Sequence, residues 1–293
     1  MGQLDRSQAP AANHPAHRLD VLTRPTAKPR VVRLFHRWGD RSCRIAAESL
    51  RQALLLVDGA STEQLLVAGA GFVCTGLPQP TDARYPNADE FVAVTENARG
   101  AAEAIQSSIP LTRPLVVFGV DVYAACYRSD IERQVGQFAV VLPPDGPPIL
   151  LPKRFPTPTE EAYLNVPDDQ ADPICDTPLG RTAILVCHDV NVYSPRGTAT
   201  TVYETRATWR TALQDLIRKR TPAVGLHLAH YIETATSFRQ AYNAWASDVG
   251  VPLVGVSGLP SDVTTDDATS LAASLLSGTD ELPVLDLIER PTE

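Results

Sequence analysis

Short apolar runs alternate with longer amphipathic segments along most of this chain, and this alternation constrains the fold more than any other feature. RTAILVC and VPLVGVSG are apolar runs of strand length, whereas CRIAAESLRQALLLV and TENARGAAEAIQSSI repeat their apolar residues with a helical period. Apolar strands separated by helices are typical of sheets whose outer faces are covered by helices. The pattern therefore predicts an α/β protein.

One pair of apolar runs breaks the alternation. In GQFAVVLPPDGPPILLPK, two strands are joined by a turn at residues 143–146, with no helix between them. A plain doubly wound parallel sheet is therefore not the only architecture that fits. No repeat or shift in composition marks a second domain, and we expect one domain over residues 30–293. Residues 1–29 mix Pro, Ala and charged residues without a period, which predicts a flexible tail.

Charge and cysteine content narrow the class of protein. The chain carries 26 Lys and Arg against 34 Asp and Glu, a formal net charge of -8, which disfavours binding to nucleic acid or to anionic membranes. Its five cysteines form no CxxC pair, which favours free thiols in a reducing compartment. The sequence shows no run long enough to span a bilayer, and we expect no apolar leader. We expect a soluble, cytoplasmic protein that binds neither nucleic acid nor membranes.

The apolar run AILVCHD ends on a cysteine that could be a nucleophile. Cys187 would need a cation nearby, to hold it as a thiolate and to stabilise the oxyanion formed on attack. Lys153, at the end of the predicted strand pair, can supply that charge, and Glu161 follows eight residues later. On composition alone, Cys187 could equally be a small buried residue and Lys153 a solvated charge.

Other motifs point to no cofactor. VAGAGF lacks the third glycine and the lysine of nucleotide-binding loops, and Ser257 in GVSGLP lacks the pattern of a nucleophile elbow. His227 and His230 could meet His188 and Asp189 around a metal ion, but side chains three residues apart on a strand point to opposite faces. Hydrogen-bonded histidines are the commoner arrangement. We expect neither a metal nor an organic cofactor.

Three blocks, in their order along the chain, resemble the carbon–nitrogen hydrolase or nitrilase superfamily. They are GQFAVVLPPDGPPILLPKRFPTPTEEAYLNV, CDTPLGRTAILVCHD and VPLVGVSGLP. The resemblance implies a four-layer αββα sandwich, in which two sheets face each other and helices cover the outsides, and it implies a homo-oligomer. It also implies a cysteine-dependent hydrolase of a small amide, nitrile or related C–N compound, acting through a thioester.

The resemblance assigns roles to individual residues. Cys187 matches the nucleophile, Lys153 the catalytic lysine, and Glu161 the second glutamate, which supports the lysine and the substrate amine. The backbone N–H of His188, together with Lys153, would donate to the oxyanion. The candidates for oxyanion or pocket contacts are His188, Asp189, His227 and His230.

The sequence departs from the family pattern at the first glutamate, which is the general base. Its place falls on Gly71, after Ala70, and no carboxylate occurs between Gln64 and Thr81. Either another group replaces this base, or the fold is retained as a catalytically silent binding or regulatory module. We favour the hydrolase. The candidates for the replacement are His188, Glu161, Asp121 and His36, with Glu161 preferred.

Overall fold

The computed structural model describes residues 18–39, 41–57, 62–77, 88–110, 113–126, 129–157, 160, 172–194, 204–232 and 234–290. The strands are β1 (Leu19–Thr23), β2 (Val31–Arg37), β3 (Leu65–Ala68), β4 (Val73–Gly76), β5 (Leu115–Cys126), β6 (Ser129–Leu142), β7 (Ile149–Pro152), β8 (Ile174–Thr177), β9 (Gly180–Val186), β10 (Val224–Tyr231), β11 (Leu253–Leu259), β12 (Leu276–Ser277) and β13 (Val284–Glu289). The helices are α1 (Cys43–Leu56), α2 (Ala88–Ser108), α3 (Glu204–Arg220), α4 (Arg239–Asp248) and α5 (Thr265–Ser274), with a 3-10 helix at Cys187–Tyr193.

The strands form two sheets that join along one short edge. The first sheet has the order β1-β13-β2-β3-β5-β6-β7, with β4 beside the second half of β5. The second has the order β8-β9-β10-β11-β12, and β9, β10 and β11 run parallel. The sheets meet where β2 pairs with β11, His36 opposite Gly258 and Arg37 opposite Leu259. This junction lies at the carboxyl ends of both strands, the end that in α/β sheets commonly carries the functional site.

Alternation of side chains along β2 shows how the layers are stacked. Val31 and Phe35 pack into a core that they share with β9, β10 and β11, whereas Val32 and Leu34 pack with α1 and α2 on the opposite face. The first of these cores continues to α3, α4 and α5. The layers therefore run helix, sheet, sheet, helix, and the expected αββα sandwich is confirmed.

The stretch QLLVAGAGFV, which reads as one strand, is interrupted between β3 and β4. Gly71 has φ +67°, a left-handed conformation that favours glycine. Gly119 on β5 allows the close approach of this turn, because a Cβ there would lie 2.3 Å from Cα of Ala70. The break creates a tight turn, residues 69–72, at the junction of the sheets.

The tail predicted for residues 1–29 is wrong for part of its length. Leu19–Thr23 forms β1, which pairs antiparallel with β13. The hydroxyl of Thr23 donates to Asp286 at 2.7 Å, and Leu22 packs against the core. Sequence patterns missed this strand because it is only five residues long and its partner lies at the other end of the chain. Residues 1–17 lie outside the described part.

None of the helices in the described residues has the length and apolar character needed to cross a membrane.

Candidate active site

Cys187 occupies the turn between β9 and the 3-10 helix. It is buried, with 6% of its surface exposed, and its backbone has φ +49°. This left-handed conformation costs roughly 1–2 kcal/mol for a residue with a Cβ, and such strain is concentrated at functional sites. Because β9 ends at Val186 and the 3-10 helix begins at Cys187, His188 is not held on the opposite face as it would be on a continuing strand.

His227 is hydrogen bonded to the backbone of this turn. Its Nε2 lies 2.8 Å from the carbonyl oxygen of Cys187, and its Nδ1 lies 3.0 Å from the hydroxyl of Tyr242. Since a carbonyl can only accept, Nε2 carries the proton and Nδ1 accepts from Tyr242. Burial lowers the pKa of His227 to about 4, which keeps the ring neutral at physiological pH. The structure thus places His227 beneath the nucleophile and bonded to its backbone.

Asp189 connects the cysteine turn to the loop that carries Lys153. Its carboxylate accepts from the backbone N–H of Val186 at 3.0 Å, of Arg154 at 3.0 Å and of Phe155 at 2.7 Å. Asp189 is almost fully buried, and burial raises the pKa of its carboxyl above the usual value. Its role in the structure is to fix the position of Lys153 relative to Cys187.

Lys153 and Glu160 form a buried ion pair beside the thiol. The Nζ of Lys153 lies 2.8 Å and 2.7 Å from the two carboxylate oxygens of Glu160. Burial disfavours the charged lysine, but Cys187 and Glu160 outweigh it and raise the pKa of Lys153. Burial likewise opposes ionisation of Glu160, but Lys153 lowers the pKa of its carboxyl to about 2. Both groups are therefore charged at neutral pH.

Glu161, the predicted partner of Lys153, lies outside the described residues, and the carboxylate that contacts Lys153 is its neighbour Glu160. Thr157 and Glu160 bond each other reciprocally, Thr157 N–H to the carboxylate at 2.6 Å and Glu160 N–H to the Thr157 hydroxyl at 3.3 Å. This is the capping-box pattern Thr-x-x-Glu. The sequence TPTE carries that signal and distinguishes Glu160 from Glu161.

His230 and Asp121 form a second buried pair near the thiol. Nε2 of His230 lies 2.7 Å and 3.0 Å from the two oxygens of Asp121. Burial lowers the pKa of His230, but the charges of Asp121 and Cys187 outweigh it and raise that pKa to about 10. Asp121 was a candidate for the missing base, and His230 was expected to line the pocket. The sequence did not indicate that they pair, because they lie on different sheets.

The thiol of Cys187 lies among three groups that favour its ionised form. Burial raises the pKa of the thiol, but His230, Lys153 and His188 together lower it well below the usual value. Nδ1 of His188 is 3.1 Å from the sulfur. A thiolate is the reactive form of cysteine. The site is therefore suited to nucleophilic attack at neutral pH.

The remaining sequence candidates lie at the border of this site. Gly71 is next to the His230 and Asp121 pair, since a Cβ there would lie 3.1 Å from Asp121 Oδ2. His36 is buried against Phe72, its ring nitrogens have no hydrogen-bond partner among the described residues, and burial lowers its pKa to about 3. Within the same part of the chain, no cluster of histidine, cysteine and carboxylate side chains could hold a metal ion.

Three solved structures are similar to this chain at low sequence identity. An amidase from Nesterenkonia sp. is 14% identical with a TM-score of 0.47, over 92% of this chain and 93% of that one. A carbon-nitrogen hydrolase from Helicobacter pylori is 15% identical with a TM-score of 0.43, over 84% and 77%. A nitrilase superfamily member of branch 10 from Saccharomyces cerevisiae is 13% identical with a TM-score of 0.45, over 78% and 74%.

No protein-family model and no curated protein sequence matches the chain. The Saccharomyces cerevisiae protein is a member of the nitrilase superfamily, and the Helicobacter pylori protein is a carbon–nitrogen hydrolase.

Proposed function

We propose that this chain is a cysteine-dependent hydrolase of a small non-peptide amide, nitrile or related C–N compound. The observation that carries this proposal is the placement of the Cys187 thiol, which is buried in a strained turn and lies beside Lys153, His188 and His230. Burial alone would favour a neutral and unreactive thiol. These three neighbours reverse that effect, an arrangement that a merely structural cysteine does not need.

Lys153 is suited to stabilise the oxyanion that forms when the thiolate attacks a carbonyl. Its ammonium group has three hydrogens and, among the described residues, makes two hydrogen bonds, both to Glu160. One hydrogen is left for the oxyanion, and the backbone N–H of His188 is the second donor in this proposal. Glu160 keeps Lys153 charged and restrains its direction.

The first experiment measures the reactivity of Cys187. Iodoacetamide labelling across pH 5 to 9, read by peptide mass spectrometry, should alkylate Cys187 well below the usual thiol pKa of about 8.5. Cys43 and Cys175 are internal controls, because burial raises the pKa of both thiols, that of Cys175 to about 12. Lys153→Ala should shift labelling of Cys187 to higher pH.

Turnover is then measured with panels of small amides and nitriles, using Cys187→Ala as the blank. Release of ammonia or amine by the wild-type protein and not by Cys187→Ala supports the hydrolase. A Cys187 that labels no faster than Cys43 would contradict it. That result would favour the alternative, a silent binding or regulatory module.

A further inference from the structure

We propose that His230, oriented by Asp121, is the general acid and base of this site, in the place where the resembled family has a glutamate. The inference rests on the proposed function and adds the group that moves the protons. General acid–base catalysis requires a group within hydrogen-bond reach of the reacting atoms. The parallel register pairs Val186 on β9 with Leu228 on β10, so that Cys187 and His230 follow at the same end of the two strands. The charge of His230 favours the ionised form of the thiol, against the opposing effect of burial.

The geometry at Gly71 supports the replacement. A Cβ added to Gly71 would lie 3.2 Å from Cδ2 of His230, 3.1 Å from Oδ2 of Asp121 and 3.0 Å from Trp38. A side chain at this position would therefore enter the space that the imidazole occupies. The left-handed φ of Gly71 further disfavours any residue with a side chain. The glutamate position and the His230 ring thus compete for the same volume.

The turn at residues 69–72 is held between the two strands that carry the pair. Ala70 N–H donates to the carbonyl of Ala229, the residue before His230, at 3.1 Å. Gly119 N–H, two residues before Asp121, donates to the carbonyl of Gly69 at 3.0 Å. This arrangement brings β5 of the first sheet and β10 of the second together at the thiol.

Asp121 gives the imidazole its orientation and charge. Both carboxylate oxygens lie within 3.0 Å of Nε2, so that Nε2 carries a proton and Nδ1 is the nitrogen that exchanges one with the reacting groups. The resting site then holds a thiolate and an imidazolium. Asp121 acts through His230, and it is a positioning residue.

The proposed reaction uses this pair twice. The thiolate of Cys187 attacks the amide carbon, a C–S bond forms, and the carbonyl electrons move to oxygen. When the intermediate collapses, the C–N bond breaks, the leaving nitrogen takes a proton from His230, and a thioester and a neutral imidazole remain. His230 then takes a proton from water, whose oxygen attacks the thioester. The C–S bond breaks, the carboxylic acid leaves, and thiolate and imidazolium are restored.

Two buried histidines and Lys153, all near the pair, are not suited to carry the proton. His36 and His227 are neutral, with pKa values lowered to about 3 and about 4, largely by burial. Lys153 is engaged by Glu160, whose pKa is lowered to about 2. The titratable groups around His230 are Asp121, Cys187, His188, His36, His227, Lys153 and Glu160.

The test compares His230→Gln with the control variant Tyr231→Phe, which alters the next residue of β10, at its exposed end. Labelling of Cys187 in His230→Gln should require a higher pH than in the wild type, and turnover should fall by about 10²–10⁴-fold. Tyr231→Phe should leave the pH profile of labelling unchanged. A His230→Gly variant should recover part of its turnover when free imidazole is added, which a merely structural role would not produce.

The outcomes separate this inference from the proposed function. In one outcome, turnover depends on Cys187, but His230→Gln keeps full turnover and an unchanged labelling profile. This result would overturn the role of His230 and leave the proposed hydrolase function in place. Absence of turnover in the wild type toward every amide and nitrile would overturn both.

Discussion

The carboxylate of Asp189 accepts a hydrogen bond from the backbone N–H of Phe155 at 2.7 Å. Phe155 follows Lys153 by two residues, and Asp189 follows Cys187 by two residues. The bond therefore sets the distance between the loop of the cation and the turn of the nucleophile. Sequence reasoning had placed Asp189 among the pocket candidates, whereas its described contacts are with backbone N–H groups.

Replacing Asp189 with Asn should lower both stability and the reactivity of Cys187. The amide would direct an NH₂ group at donors that now face a carboxylate oxygen, and hydrogen bonds to a charged group contribute about 1.5–3 kcal/mol each. We expect the free energy of unfolding in urea to fall by about 2 kcal/mol or more. Asp176→Asn, at an exposed position on β8, is the control and should change stability little. Equal stability of the two variants would contradict the proposed role.

The left-handed backbone of Cys187 predicts an unusual order of stabilities. Cys187→Gly should be more stable than Cys187→Ala by about 1 kcal/mol, because glycine adopts φ near +49° without steric cost. Cys175, on β8, is the control position, where glycine should be less stable than alanine. Urea unfolding of the four variants measures both differences. The same order at both positions would argue against strain at Cys187.

Glu160 predicts a stability difference that depends on pH. Its pKa in the folded state is lowered to about 2 by Lys153, against the opposing effect of burial, so that the unfolded chain binds the proton more tightly. The stabilisation is therefore fully present above about pH 4.5 and is lost as the pH falls toward 2. Relative to Glu160→Gln, the wild type should lose about 3 kcal/mol over this range, since one pKa unit corresponds to about 1.4 kcal/mol.

The control for this measurement is Glu48→Gln, which removes a half-exposed partner of Arg51. An exposed ion pair contributes about 0–1 kcal/mol, so that its pH-dependent difference should be much smaller. Chemical unfolding at each pH gives both curves. If the difference in free energy of unfolding between the wild type and Glu160→Gln did not change with pH, the buried pair would not hold Glu160 ionised.

Tyr242→Phe should weaken the contact of His227 with the backbone of Cys187, although Tyr242 itself does not contact the thiol. Loss of the hydroxyl leaves Nδ1 of His227 as a buried acceptor that has lost its donor, at a cost of about 1–3 kcal/mol. We expect a lower free energy of unfolding and slower labelling of Cys187. Tyr231→Phe, at the more exposed end of β10, is the matched control. Unchanged labelling in Tyr242→Phe would separate His227 from the geometry of the thiol.

Local patterns account for most of the fold. The period of the apolar residues predicted α1, α2, the β6–β7 pair, β9 and β11, because the alternation of buried and exposed residues repeats within a few residues of sequence. The resemblance then indicated two facing sheets. It also singled out Cys187 and Lys153, which the structure places together. β1 was missed, because its pairing with β13 joins the two ends of the chain.

The sequence by itself determined the alternating α/β order and the strand that ends on Cys187. It also determined that Gly71 stands where the resembled family has its first glutamate. Only the tertiary structure decided which groups surround the thiol. Asp121 and His230 are 109 residues apart and meet because β5 and β10 reach the same junction of the two sheets. Glu160 rather than Glu161 meets Lys153 through a capping box. Such contacts depend on packing between distant elements, which local periodicity does not record.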